Sequence, residues 1–423
     1  MSRKEKDLVL SSQPLALSSY DPWILASVVL LMILSIVMVL NTSYFYSSEY
    51  FASPYRFLWK HLVAVSMGAA CMGIATSLPS WSYHRLVYPV LGLALILLVA
   101  VLLLPSHGKV SRWIRLGPVS FQPSELAKWA AVLYLARSLS EKGRRGEGEK
   151  GRRGNDNTVI VRVGDIVTVP VSPCPRVTVS SNGRPLIFAP VLTVGLVIGL
   201  IGLEPDFGTA AFIGFTLLAM LLAAGARWSY LTGLMLAGVI ILACGVLMAS
   251  YRIERIDAFL NPWLYSQGKG FQLVQSFLAF GAGGITGVGL GAGQQKMFYL
   301  PEARTDFIFA VIGEELGLWG TSLVLFLFLL VGQRGLRIAL HHPYPFGRLL
   351  AFGLTFLLVW QAGINMAVAT GLLPTKGISL PLVSYGGSGI VMAMTSIGVL
   401  LALSREVGQE GSGGAREWRS GGE

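Results

Sequence analysis

"YLPEARTDFIFAVIGEELGLWG", Tyr299 to Gly320, opens on mixed charges and a proline and then turns strongly apolar, yet it keeps three carboxylates, Asp306, Glu314 and Glu315. Ionisable groups are expensive in lipid, and inside a membrane segment they face a polar cavity or a partner within a helix bundle. The stretch therefore reads as the beginning of a bundled membrane helix. Asp306 falls at its first residue, where the helix dipole favours a negative charge, so the carboxylate is expected to stay ionised, with a plain helix cap as the alternative to a role in a site. Glu314 and Glu315 follow roughly 12 Å deeper at 1.5 Å per residue. They read as buried, hydrogen-bonded acids that hold helices together.

The rest of the chain agrees. Its 423 residues are 53% hydrophobic and only 13% charged, with a mean hydropathy of +0.63. That is too little charge to cover the surface of a soluble protein of this size, which places the chain among membrane proteins. A net charge of +11 would suggest nucleic acid in a soluble chain. Here the basic residues gather in loops and tails between apolar runs, where the positive-inside rule accounts for them, and no nucleic-acid partner is expected. Cys71, Cys174 and Cys244 are too scattered for a disulfide framework or a zinc site. The polar head before the first apolar run is too long for a cleavable leader, so that run is expected to be the first span.

At roughly 20 apolar residues per span, the sequence predicts an all-α integral membrane protein with about ten transmembrane helices: 22–41, 61–78, 87–104, 123–140, 186–203, 207–224, 229–250, 306–332, 347–371 and 380–404. This gives a tail at 1–21, a membrane domain over 22–404 and a tail at 405–423. Both tails, the 141–185 loop and the 333–348 loop then share one face, and their lysines and arginines make it the cytoplasmic one. Lys109, Arg112 and Arg115 form a basic cluster on the other face, against the rule, and invite an anionic ligand. The 141–185 loop repeats "EKGRRG" and is expected to be partly disordered, with an alternating stretch behind it. The 251–305 loop has an aromatic beginning and then a glycine density that forbids a stable span. Short or re-entrant helical pieces lining a cavity are expected there, between spans seven and eight.

Four polar clusters fall on the outer face. "SRWIRLGPVSFQPSELAKW" carries Arg112, Arg115, Glu125 and Lys128, with Ser124 placed to cap span four. Glu125 and Lys128 share a helical face and read equally as an ion pair or as ligand-binding groups. "LEPDFGTA" puts Glu204 and Asp206 in the turn between spans five and six, where an aspartate alone is ordinary. The opening stretch is the third. "LLPTKGISLPLVSYGGSG", with Lys376, Ser384 and Tyr385, reads as a broken start to span ten.

Taken in order, "RWIRLGPVSFQPSELAKW", "EPDFGTA", "GKGFQLVQSFLAFGAGGITGVGLGAGQQKMFYLPEARTDFIFAVIGEELGLWG" and "LPTKGISLPLVSYGGSG" resemble the SEDS family of FtsW, RodA and SpoVE, closest to its FtsW/SpoVE branch. The resemblance covers nearly the whole chain, and the 141–185 segment stands out as an insertion. It implies a peptidoglycan glycosyltransferase that polymerises lipid II at the outer face of the bacterial cytoplasmic membrane. Its expected partners are a class B penicillin-binding protein, other division proteins and membrane lipid, with a septal role. It also maps the family's essential aspartate onto Asp306 and its EPDFGT aspartate onto Asp206. The QPSELAK glutamate and lysine map onto Glu125 and Lys128.

The chemistry fits that implication. Diphosphate leaves without protonation if cations stabilise it, so one carboxylate suffices as base for the incoming sugar hydroxyl. Asp306 takes that role, with Arg112, Lys128, Lys296 and Arg304 as diphosphate cations, the first and second favoured. Lys376 and Ser384 complete the substrate set with Glu125 and Asp206. A Mg²⁺ or Mn²⁺ ion near Asp306 is the one cofactor entertained, and the apolar segment 271–293 would hold the lipid tail. Two rival classes are a lipid II flippase without chemistry and an inactive scaffold.

Overall fold

A computed structural model describes residues 20–51, 53–103, 112–116, 119–151, 188–204, 206–247, 250–296 and 300–410. Most of the first tail, Lys109, Pro205, Tyr299, the alternating stretch with Cys174, and the end of the second tail lie outside the described residues. Among the described residues twelve helices follow one another: α1 Pro22–Phe51, α2 Arg56–Ser77, α3 Ser80–Leu103, α4 Pro123–Gly151, α5 Phe188–Leu203, α6 Phe207–Ala223, α7 Trp228–Leu247, α8 Ser250–Leu260, α9 Phe271–Gly283, α10 Ile308–His341, α11 Pro345–Ala369 and α12 Gly387–Glu410. All but α8 and α9 answer to the ten predicted spans. One departure from an all-helical chain is a small antiparallel hairpin before α4, β1 Ile114–Leu116 and β2 Val119–Phe121, with Arg115 opposite Ser120.

Seven of the helices are long and apolar enough to cross a membrane unaided. The shorter apolar α5 and α6, of 16 and 17 residues, pack on each other. Helix α4 carries Glu125, Lys128 and Arg137 and is too charged to qualify by composition. It tolerates them because it lies inside the bundle, where Ala127, Ala130, Val132, Leu133, Leu135 and Ala136 are fully buried. At the other extreme, α7 exposes Met235, Leu236, Val239 and Ile241, the pattern of a helix facing lipid. Between α2 and α12 small residues allow close approach: Gly68 lies against Met394, and Gly398 against Met72 and Ala75.

The two ends of the bundle differ. At the end away from the hairpin, charged clasps join distant helices. Arg334 of α10 pairs with Asp21 before α1 at 2.7 Å. Glu406 of α12 accepts from the Ser80 amide of α3 at 2.8 Å and lies 3.2 Å from His342, in the turn between α10 and α11. Arg137 of α4 pairs with Glu141 at 2.8 Å and donates to the His84 carbonyl of α3 at 2.7 Å. That local pairing helps α4 run on to Gly151, so the first "EKGRRG" copy is helical where disorder was expected.

Helix α10 is broken at Gly317, whose φ is +63° and ψ −154°. A break strands backbone groups that lipid cannot satisfy. The glycine-rich segment after α9 takes them up. The amides of Val288 and Gly289 donate to the carbonyls of Glu314 and Glu315, each at 3.0 Å, and the Leu318 amide donates to Gly284 at 3.0 Å. Only glycine permits this approach: a Cβ on Gly287 would lie 2.1 Å from the Glu315 carbonyl oxygen.

The side chains of the two glutamates finish the joint. Glu314 accepts from the amides of Gln294 and Gln295 at 2.7 and 3.2 Å. Glu315 accepts from the Gly291 amide at 3.1 Å and the Lys296 ammonium at 2.7 Å, and from the Asn41 amide of α1. Glu314 and Glu315 are thus the anchors of a re-entrant loop. Replacing Gly317 by Ala would strain a positive φ and bring a Cβ within 2.4 Å of the Gly287 nitrogen. Gly317→Ala is expected to lower stability by on the order of 3 kcal/mol, read as a fall in the thermal midpoint of the detergent-solubilised protein.

Candidate active site

The segment 376–386 is the piece around which the predicted polar clusters meet. Its prolines and glycines keep it irregular, so α12 begins at Gly387 and not at 380. Two polar side chains on α11 hold it from below. Asn365 Nδ2 donates to the Ile378 carbonyl at 2.7 Å and to the Asp306 carbonyl at 2.8 Å. Gln361 Nε2 donates to the Ser379 carbonyl at 3.0 Å, while its oxygen accepts from Lys128 Nζ at 2.9 Å. Ser384 donates to the Thr305 carbonyl at 2.5 Å and accepts from the Leu380 amide at 2.8 Å, and the Tyr385 amide donates to the Arg304 carbonyl at 2.9 Å.

Asp306 lies in the turn before α10. That helix starts at Ile308, and Phe307 occupies the capping position without a side-chain bond. The expectation of an aspartate kept ionised by the dipole is therefore corrected, as is the plain cap. Burial, and then the nearby Glu302 charge, push the Asp306 carboxyl up to about 7. Its Oδ2 faces Gly377, where a Cβ would stand only 3.2 Å away. Lys376 is the next residue along. Burial holds its ammonium below the ordinary lysine value, opposed by the Asp206 carboxylate.

Asp206 caps α6, accepting from the Thr209 amide at 3.3 Å and hydroxyl at 2.9 Å. It shares Gly208 with the Lys376 stem: a Cβ there would lie 3.7 Å from Asp206 Oδ1 and from Lys376 Cδ. Arg112, exposed just before the hairpin, reaches the same turn and donates to the Glu204 carbonyl at 3.2 Å. The Glu204 side chain is fully buried, and neither carboxyl oxygen has a hydrogen-bond partner among the described residues. Burial first, then Asp206, raise it to about 7, with Arg112 opposing.

Glu125 and Lys128 form an ion pair at 2.8 Å, one of the two readings that their spacing left open. Lys128 also lies 5.4 Å over the Phe212 ring. The pair lines a cavity under the 376–386 segment together with Trp129, Gln361, Ser379 and Ser384. Ser124 does not cap α4; its buried hydroxyl has no partner among the described residues.

Three expectations change. Lys296 is drawn into the anchor of the re-entrant loop, where its side chain and that of Glu315 are 0% exposed, so its charge is already matched away from Asp306. The Ser384 hydroxyl is engaged on both sides by backbone and ties the 376–386 segment to the turn before Asp306. Arg304 lies beside the segment but stacks 4.2 Å over Phe57. The side chain of Arg115 lies outside the described residues.

Among the described residues no three His, Cys, Asp or Glu side chains converge to hold a metal ion. The donor set does not fit a protein-built cation site at Asp306, and no step is assigned to one. Gln361, Asn365 and Glu204 are the residues the sequence reading left out of the site. Gln361 and Asn365 sit four apart in the apolar span of α11, which puts two amides on one helical face.

Fold and polar centre together define a multi-pass helical membrane protein with acids and lysines gathered at one end of its bundle. Residues 22–409 match the FtsW–RodA–SpoVE family, described as a cell cycle protein, and the chain belongs to it. A "Probable peptidoglycan glycosyltransferase FtsW" of Coxiella burnetii is 39% identical over 92% of this chain and 97% of its own length. Stage V sporulation protein E of Bacillus subtilis is 35% identical, over 92% and 98%. The crystal structure of Thermus thermophilus RodA superposes with a TM-score of 0.61 at 26% identity, covering 93% and 99% of the two chains. A chain of a peptidoglycan synthase complex that coordinates polymerization and crosslinking gives 0.67 at 27%, covering 94% and 100%.

The raised Glu204 carboxyl gives a stability test. A carboxyl at about 7 in the fold against an ordinary 4.5 contributes stability that is full below 4.5 and lost as pH rises through 7. Glu204→Gln removes that loss. Its thermal midpoint is expected to exceed that of the parent at pH 8.5 and to match or fall below it at pH 5.

Proposed function

We propose that this chain is a peptidoglycan glycosyltransferase that polymerises lipid II into glycan strands at the outer face of the bacterial cytoplasmic membrane. The observation that carries the reading is the Asp306 carboxyl, raised to about 7 and set against Gly377 beside Lys376. A general base works best when its proton affinity lies near the working pH. The names of the FtsW relatives supply the reaction class.

Asp306 takes the proton from the acceptor sugar hydroxyl as that oxygen attacks the anomeric carbon of the donor. The bond from that carbon to the diphosphate breaks, and its electron pair leaves on the diphosphate oxygen. A glycosidase needs a second carboxyl to protonate its leaving group; a diphosphate needs only cations that match its charge. Lys376 and Arg112, which both reach the Glu204–Asp206 turn, fit this role best. Lys128 lies further in, where its pairing with Glu125 and Gln361 suits it to support the segment from behind. The exposed apolar side chains of Leu278, Ile285, Val288 and Leu290 on α9 and the re-entrant loop suit the polyprenyl tail.

The relatives named FtsW and the sporulation relative favour a role in septal wall synthesis with other division proteins. The likeness to a chain of a synthase complex favours a class B penicillin-binding protein as partner. The basic loops at the clasped end favour cytoplasmic termini.

Purified protein given lipid II is expected to form glycan strands. Asp306→Asn is expected to lower the rate at least about a hundredfold. At pH 8 its thermal midpoint should equal or exceed that of the parent, because the variant removes a buried charge. Polymerisation by Asp306→Asn at near-normal rate would overturn the assignment, and leaflet exchange without strands would mean a flippase. The rate should rise with pH through about 7 as Asp306 loses its proton, then fall at higher pH as Lys376, held low by burial, loses its own.

A further inference from the structure

His61 has no part in the mechanism above. It sits on α2, 1% exposed, far in sequence from every residue of the site. It nevertheless touches the segment that organises that site. Ser35 of α1 donates its hydroxyl proton to the Val383 carbonyl at 2.8 Å. A hydroxyl has one proton to give, so at its 3.0 Å contact with His61 Nε2 the serine oxygen must accept. That assigns a ring proton to Nε2. The other nitrogen, Nδ1, is buried without a hydrogen-bond partner among the described residues, so this single bond orients the imidazole. The ring also stacks on Tyr385, at 6.1 Å between centroids and 29° between planes.

Val383, Ser384 and Tyr385 are consecutive, and each has a different task. The Val383 carbonyl is held by Ser35. The Ser384 hydroxyl and Tyr385 amide then hold the carbonyls of Thr305 and Arg304, the two residues that lead into Asp306. We propose that His61 is a positioning residue for Asp306: with Ser35 it fixes residues 383–385, and these fix the turn that aims the Asp306 carboxylate. The inference rests on the reading of Asp306 as the base. Asn365 secures only the Asp306 carbonyl, so the approach of the chain to that residue is set from the His61 side.

The decisive comparison uses full-length protein carrying Ser35→Ala, His61→Phe, both together, or His61→Gln, assayed for lipid II polymerisation across pH. Phe keeps a ring against Tyr385 but cannot donate to Ser35, whereas the Gln side-chain amide carries a donor close to the position of Nε2. Each of the first two variants is expected to lose about tenfold to a hundredfold in kcat, the scale of a misaimed catalytic group. KM should stay within about twofold. The rising limb of the pH profile should move, since it reports the surroundings of Asp306.

The double variant should lose no more than either single one, because both break one linkage. His61→Gln should recover most of the rate. The proposal is overturned if the single variants keep the parent kcat and rising limb. It is equally overturned if kcat per folded molecule is unchanged and only the folded fraction falls, or if Gln is as impaired as Phe. An active Asp306→Asn would instead remove the base itself, a result distinct from any of these.

Discussion

A helix interrupted inside a membrane leaves polar backbone that must find partners in protein, and the interruption of α10 at Gly317 is where this molecule meets that demand most directly. The Glu314 and Glu315 carbonyls and the Leu318 amide bond to the chain between Gly284 and Gly289. The two carboxylates then take the amides of the next few residues and the Lys296 ammonium. Asn41 carries the linkage to α1. The loop between α9 and α10 is therefore tied to the bundle through its backbone and Lys296, while Ile285, Val288 and Leu290 stay exposed on its outer side. The turn from Leu300 to Phe307 is held between this anchored loop and the first residues of α10, and that places Asp306.

A second irregular segment meets the first. Residues 376–386 are neither helix nor strand, yet nearly every polar side chain of the site bonds to them or lies against them. Gln361 and Asn365 support them from α11, Ser35 and His61 from α1 and α2, and Lys128 through Gln361 from α4. Such a segment sets Gly377 against Asp306 and, one residue earlier, the Lys376 stem beside Asp206 at Gly208. Regular helices, with side chains fixed by a 3.6-residue period, would have to cross more closely to do so. At Gly377 a side chain would crowd the carboxylate, since a Cβ there would stand 3.2 Å from Asp306 Oδ2.

Much of this was legible in the sequence. Apolar runs of span length located ten helices, and glycine density in 281–293 excluded an eleventh. Spacing put Glu125 and Lys128 on one helical face, and the depth of Glu314 and Glu315 marked them as internal anchors. What could not be read was which charges face each other across the bundle. Lys296 and Lys376 look alike as single lysines in glycine-containing segments of the outer face. One is matched to Glu315 inside the protein, and the other lies beside Asp206. Asp306 looked like a helix cap because the apolar run begins at that residue. Its burial depends on Gly377 and Asn365, which lie about sixty to seventy positions away. The hairpin was likewise hidden, since each of its strands has only three residues.

The clasps at the end away from the hairpin have a mechanical meaning. Asp21 with Arg334, Ser80 and His342 with Glu406, and Arg137 with His84 and Glu141 lash α1, α3, α4, α10 and α12 together at one rim. The opposite rim has ion pairs as well, Glu125 with Lys128 and Glu315 with Lys296, but each lies within one helix or one loop–helix joint. A barrel of staves hooped at the base and open at the mouth yields at the mouth. Room to adjust therefore lies at that rim, while the hooped base keeps the spans in register.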